Sequence, residues 1–162
     1  MNLLDILFLV VVASSATADQ NLDTVSELQN KALDIAVEYF NQHHLPRFAF
    51  KHHQTESATN EMSGSDTILQ LRFTVKQTMC RRENFNKNKC KFMPLGRKRY
   101  CHACFKFEHN RLDVPLKYVD CVPESHLTKE RENQRQNACN ILMMPPVEEV
   151  HHIGSYSFMR SS

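Results

Sequence analysis

Six cysteines in a chain of 162 residues, four of them between Cys80 and Cys104, constrain this sequence more than any other feature. Cysteines so placed are metal ligands, a redox pair or disulfide staples, and each role belongs to a different compartment. The N-terminus decides among them. Leu3 to Val12 is an apolar run interrupted only by Asp5, and Ala16-Thr17-Ala18 puts small residues at the two positions that a signal peptidase reads. The run is shorter than the roughly 20 apolar residues of a membrane span, and no later stretch supplies one. Residues 1–18 therefore read as a secretory signal cut after Ala18, residues 19–144 as one domain and residues 145–162 as a flexible C-terminal tail. In an oxidising compartment six cysteines imply three disulfides, with fifteen pairings open.

The pair Cys101-x-x-Cys104 does not overturn that reading. Positions three apart on a strand point to opposite faces, so the two thiols are poorly placed to share an ion and well placed to bridge in different directions. A redox pair is expected at a helix N-terminus, and no second CxxC completes a zinc site. Each staple contributes on the order of 2–4 kcal/mol, comparable with the whole net stability of a small domain.

Periodicity supplies the elements. Thr24 and Glu27 match a capping box, which predicts a helix starting there. Val25, Leu28, Ala32, Ile35, Ala36, Tyr39 and Phe40 form its apolar face, and it ends near Gln42 to His44, before Pro46. Arg47 to His53 reads as a short strand, Gln54 to Asp66 as a loop, and Leu69 to Lys76 as a strand with one face toward the helix and the other toward solvent. Tyr100 to Phe107 and Leu116 to Val122 alternate in the same way. Glu124 to Ala138 reads as a partly helical connector. The expected class is α+β, one N-terminal helix packed across an antiparallel sheet.

Charge is informative only in its position. The chain carries +2, and +3 once Asp5 leaves with the signal, yet Arg81, Arg82, Lys87, Lys89, Lys91, Arg97, Lys98 and Arg99 face one acid, Glu83, giving a local +7. Such a cluster either solvates a hairpin or meets a polyanion, a heparan-type glycosaminoglycan or an anionic membrane. Nucleic acid is not expected, because the chain reads as secreted. The pairs His43-His44, His52-His53 and His151-His152 diverge in direction and read as surface histidines, with no metal site. No Gly-x-Ser-x-Gly, phosphate loop, His-Glu-x-x-His or N-glycosylation sequon occurs, so neither an enzyme nor a cofactor is expected.

A secreted, disulfide-bonded chain with a helix over an antiparallel sheet resembles the cystatin and cathelicidin group. Gln77-Thr78-Met79-Cys80-Arg81-Arg82, Gly96-Arg97-Lys98-Arg99, Cys101-His102-Ala103-Cys104 and Gly154-Ser155-Tyr156-Ser157-Phe158 are similar to a chemoattractant branch of it. The cysteine spacing, with 9, 10, 2, 16 and 17 intervening residues, is the most specific part. The resemblance implies a cystatin-like fold with bridges Cys80–Cys90, Cys101–Cys121 and Cys104–Cys139. It also implies a secreted, monomeric adipokine precursor without cofactor. Extracellular serine proteases and carboxypeptidases would trim the tail at Arg160 and Met159. The segment Gly154, Ser155, Tyr156, Ser157, Phe158 and Met159 would then enter a chemokine-like G-protein-coupled receptor, with chemotaxis, inflammation and adipocyte differentiation as outputs. His151-His152, Ile153 and Met159 depart from the branch, where an aromatic pair, a Pro and a Ser are usual. Two alternatives remain: an antimicrobial host-defence protein acting through the basic hairpin, and a cystatin-type protease inhibitor. The inhibitor would need a Gln-x-Val-x-Gly hairpin and an N-terminal Gly wedge, and neither is present.

Overall fold

The computed structural model describes residues 16–44, 47–109 and 115–144. Helix α1 (Ala16–His43) leads into four strands, β1 (Phe48–Ser63), β2 (Asp66–Arg81), β3 (Lys98–Phe107) and β4 (Leu116–Val122), and then helix α2 (Lys129–Met143). The strands form one antiparallel meander in the order β1-β2-β3-β4.

Alternation in β2 and β3 sends Leu69, Leu71, Phe73, Val75, Ala103, Phe105 and Phe107 to one face, all within 1% of full burial. Helix α1 lies on that face through Ala32, Ala36, Val37 and Phe40. Ala32, Ala36 and Ala103 are completely buried, so small side chains let the helix settle close to the sheet. The helix end is tied down by Asn41, whose side chain donates to the Phe50 carbonyl and accepts from the Phe50 N–H, both at 2.9 Å. Among the described residues, no helix is long and apolar enough to cross a membrane.

Three expectations need correction. Helix α1 begins at Ala16, so Thr24 lies inside it and does not cap it; each added helical residue costs little once a turn has formed, and Ala16 and Ala18 are strong helix formers. The polar stretch from Gln54 is not a loop. It continues β1 to Ser63, pairs with β2 down to Asp66 and turns through Gly64 and Ser65. Gly64 has φ +64°, the left-handed value a two-residue hairpin turn needs at its first central position. This outer half of β1 is held by the backbone ladder, which needs no apolar alternation. The far side of the sheet is only partly open to solvent, since α2 lies on its β3 and β4 half, while Arg72 of β2 stays exposed. The stretch expected to be partly helical is helical from Lys129 on and extends to Met143, capped by the Thr128 hydroxyl, which accepts from the Arg131 N–H at 3.2 Å.

Candidate functional site

Cys80–Cys90 closes the basic loop with Cα atoms 5.7 Å apart, and Cys101–Cys121 joins directly opposed residues of β3 and β4 at 4.0 Å. Cys104–Cys139 pins α2 to the sheet at 5.6 Å. Cys101 belongs to the core under α1, and Cys104 points to the other face. His102 also points there, with Nε2 3.8 Å and 3.6 Å from the two sulfurs. Among the described residues, His102, Cys104 and Cys139 are the one group with metal-ligand chemistry, but both sulfurs are consumed by the disulfide.

The second clamp on α2 is ionic. Arg135, 2% exposed, donates from Nε to Asp120 Oδ2 at 2.7 Å, from Nη1 to Glu132 at 2.9 Å and from Nη2 to the Tyr100 carbonyl at 2.9 Å. Arg131 also holds Asp120, its Nε donating to the same Oδ2 at 3.0 Å and its Nη2 donating to Oδ1. Burial opposes ionisation of Asp120, but the hydrogen bonds and charges of Arg131 and Arg135 outweigh it and hold its pKa below the ordinary carboxylate value. The Asp120 bond and charge raise that of Arg131. Sequence reasoning passed over this clamp. Its signal was the stripe Arg131, Arg135, Cys139 at four-residue spacing, one face of a helix written in polar residues.

The basic cluster is shaped by the loop that carries it. Met79 N–H donates to the Lys91 carbonyl, Met93 N–H to Gln77 and Gln77 N–H to Arg97, so residues 91–97 fold back along β2. The return turn is tight: Leu95 stands in the left-handed region at φ 56°, and a Cβ on Gly96 would come 2.9 Å from the Met93 carbonyl oxygen. Gln77 Oε1 then accepts from the Arg97 N–H at 3.2 Å and Nε at 3.4 Å.

The cluster that is continuous in sequence is divided in space. Lys87 pairs with Asp34 of α1 at 2.6 Å, closing one side of a groove of about 590 Å3 that Arg82, Glu38 and His52 also line. Arg81, Lys89 and Lys91 project into solvent. Lys98 lies over the Tyr100 ring at 4.9 Å. Arg97 and Arg99 face a separate cavity of about 370 Å3, where His44, His126 and Arg131 join them over Phe40 and Phe50. The Arg99 guanidinium sits 5.8 Å from the Phe50 ring, and burial, then the charge of Arg97, lowers its pKa.

The histidine pairs scatter. His43 bonds the Tyr39 carbonyl and stacks on its ring, His44 stacks on Phe40, and His53 meets Thr74 and Phe92. Burial, then the neighbouring His53, lowers the pKa of half-buried His52, partly offset by Asp34. Ala18 lies in the first turn of α1. His151-His152, the segment Gly154 to Met159 and the cut at Arg160 lie outside the described residues.

A sequence profile of the cathelicidin family matches residues 27–121. Retinoic acid receptor responder protein 2 of Pongo abelii is 30% identical over 140 residues, 85% of this chain and 85% of that protein. Its Homo sapiens namesake is 32% identical over 115 residues, 71% of this chain and 70% of that protein. In structure, dimeric human cystatin F superimposes with a TM-score of 0.51 at 19% identity, covering 59% of this chain and 79% of that one, which establishes a cystatin-like fold.

Proposed function

The chain belongs to the cathelicidin family and to its retinoic acid receptor responder protein 2, or chemerin, members, and from that premise we propose that it is a secreted, non-enzymatic precursor of a chemoattractant. Loss of residues 1–18 after Ala18 releases it. Extracellular serine proteases and carboxypeptidases then cut at Arg160 and Met159. The new end, Gly154 to Met159, enters the cavity of a chemokine-like G-protein-coupled receptor with Tyr156 and Phe158 as apolar anchors.

The observation that carries this reading is the double clamp on α2. The helix leading to the tail is fixed to the sheet by Cys104–Cys139 and by Arg135 on Asp120. A rigid mount therefore precedes a segment of 18 residues (145–162) that bears the receptor-type aromatics. Such a mount separates two tasks: a stable scaffold survives in an extracellular fluid rich in proteases, while the end of the chain is left to be trimmed. The cystatin-like fold does not carry inhibition with it, since the Gln-x-Val-x-Gly hairpin is missing from the sequence.

The test is a calcium or migration assay on receptor-bearing cells, comparing the full chain with forms ending at Ser157, Phe158, Met159 and Arg160. The form ending at Met159 should exceed the full-length chain. Equal activity of all forms would sink the precursor reading. A broth-killing assay with a peptide spanning Cys80 to Tyr100 separates the host-defence reading, which predicts killing without any dependence on the tail.

A further inference from the structure

The cavity at the start of β3 holds an electrostatic imbalance that the fold itself leaves in place. Arg97 and Arg99 are two residues apart, on the sheet face that continues into Cys101 and Ala103, and both line one recess. Neither makes a carboxylate ion pair: the described salt bridges involve Arg72, Lys87, Lys106, Arg131 and Arg135. The sole acid of the recess, Asp120, is already held between Arg131 and Arg135. The Arg99 guanidinium thus stands 5.8 Å from the Phe50 ring, and Arg97 lines the same recess together with Phe40 and the imidazoles of His44 and His126. The strain shows on Arg99, whose charged form is disfavoured by burial and by Arg97. A low-dielectric aromatic floor strengthens any opposite charge brought to it.

We infer that this recess is a sulfate-binding subsite for a linear sulfated glycosaminoglycan, with Arg97 and Arg99 as the paired donors and His44 and His126 as the rim. Guanidinium forks match tetrahedral oxyanions in two parallel hydrogen bonds, which an ammonium group does not. A volume of about 370 Å3 admits a sulfate monoester with part of its sugar. The recess also selects the kind of polyanion. A bilayer is met by protruding cations beside an exposed apolar face, whereas here half-buried Arg99 sits back in a recess that the exposed Arg97 also lines, where a sulfate projecting from a flexible chain can reach both. The eight basic residues of the cluster are then unequal: Lys87 sits in an exposed pair with Asp34, Lys89 and Lys91 supply diffuse attraction, and Arg97 and Arg99 supply the specific contact. The inference is independent of receptor agonism and holds whether or not the tail signals.

The experiment uses the full secreted chain with its disulfides intact and a size-defined heparin hexasaccharide as the probe. Two charge-matched double variants are compared by calorimetric titration: Arg97→Gln with Arg99→Gln, and Lys89→Gln with Lys91→Gln. Loss of the recess pair should weaken binding about tenfold or more, while loss of the loop pair should change it about twofold. Equal losses in the two variants would reduce the site to general surface charge and overturn the inference. So would a recess variant that loses binding to phosphatidylcholine vesicles containing phosphatidylglycerol but keeps the hexasaccharide. If the recess variant does not fold, amide shift mapping on the unaltered protein decides the matter. Shifts concentrated at His44, Arg97 to Arg99 and Val122 to His126 support the subsite, and shifts concentrated at Lys87 to Lys91 refute it.

Discussion

The two faces of the sheet are held by opposite means. Beneath α1 the contact is apolar and redundant: Phe73, Phe105, Phe107, Leu69 and Leu71 are buried against Ala32, Ala36, Val37 and Phe40. Beneath α2 it is polar, built from one disulfide, Arg131 and buried Arg135 on Asp120, an Arg72–Glu132 ion pair and one buried histidine. A redundant apolar face responds in proportion to the volume removed, because each side chain contributes its own transfer free energy. A polar face responds to which partner is removed, because what remains is a buried group without compensation.

The largest effect is expected on the apolar face. Phe73→Ala should cost about 3–5 kcal/mol, read as a lower urea midpoint with all disulfides intact. Because α1 and all four strands share that core, fluorescence and far-ultraviolet circular dichroism should report one coincident transition. Two separated transitions would show that the layers unfold independently and would break the contrast at its root.

Next in size is the proton balance of His102, which lies in the polar layer and is 2% exposed. Burial, then the positive charge of Arg72, with Arg135 adding to it, pushes its pKa from 6.5 down to about 4, against smaller opposing effects of Glu132 and Asp120. Its Nδ1 has no partner in the structure. Below pH 6.5 the unfolded chain takes up a proton at this ring that the folded chain refuses until about pH 4. Stability therefore falls as pH drops through that window, by up to about 3 kcal/mol, and this contribution is flat below it. His102→Gln should flatten the slope in urea titrations between these limits. An unchanged slope would assign the acid sensitivity to other groups.

Asp120→Asn tests the polar face at its centre. The amide keeps an acceptor for Arg135 but removes the negative charge that Arg131 and Arg135 share. Loss of charge-assisted hydrogen bonds at this burial should cost about 2 kcal/mol. The loss should be local, visible as faster amide exchange in Lys129 to Met143 with little change in α1. If exchange accelerates equally in both helices, the two faces are one cooperative unit.

This asymmetry also explains what could be read from the sequence. The α1 face announces itself through periodic apolar residues, and Ala32, Ala36 and Phe40 stand where that periodicity puts them. The strands Leu69 to Lys76, Tyr100 to Phe107 and Leu116 to Val122 follow the same signal and appear within β2, β3 and β4. Two parts were not legible because hydropathy carries no trace of them. The outer half of β1 is held mainly by backbone pairing, with Ala58 packed against the core, and α2 docks through arginine, whose burial depends on finding Asp120 from β4. The candidate anion site was half legible. Arg97 and Arg99 stand out by charge, but His44, His126 and Arg131 are distant in sequence and join them only through the meander and the return of α2.

The smallest effect is the sharpest control on the comparison. Lys87 and Asp34 are as close as Arg135 and Asp120, 2.6 Å against 2.7 Å, and both pairs tie a helix to another part of the fold. Their exposures differ: 57% and 59% for the first pair, 3% and 12% for the second. Water and salt screen the exposed pair, and ordering two mobile side chains offsets much of its attraction. Lys87→Ala should therefore cost about 0.5 kcal/mol or less, and that cost should vanish in molar salt, whereas the Asp120→Asn loss should persist there. If Lys87→Ala instead matched Asp120→Asn and resisted salt, burial would not be what separates the two clamps. The loop from Cys80 to Cys90 would then be an integral part of the α1 layer, no longer a basic flap resting against it.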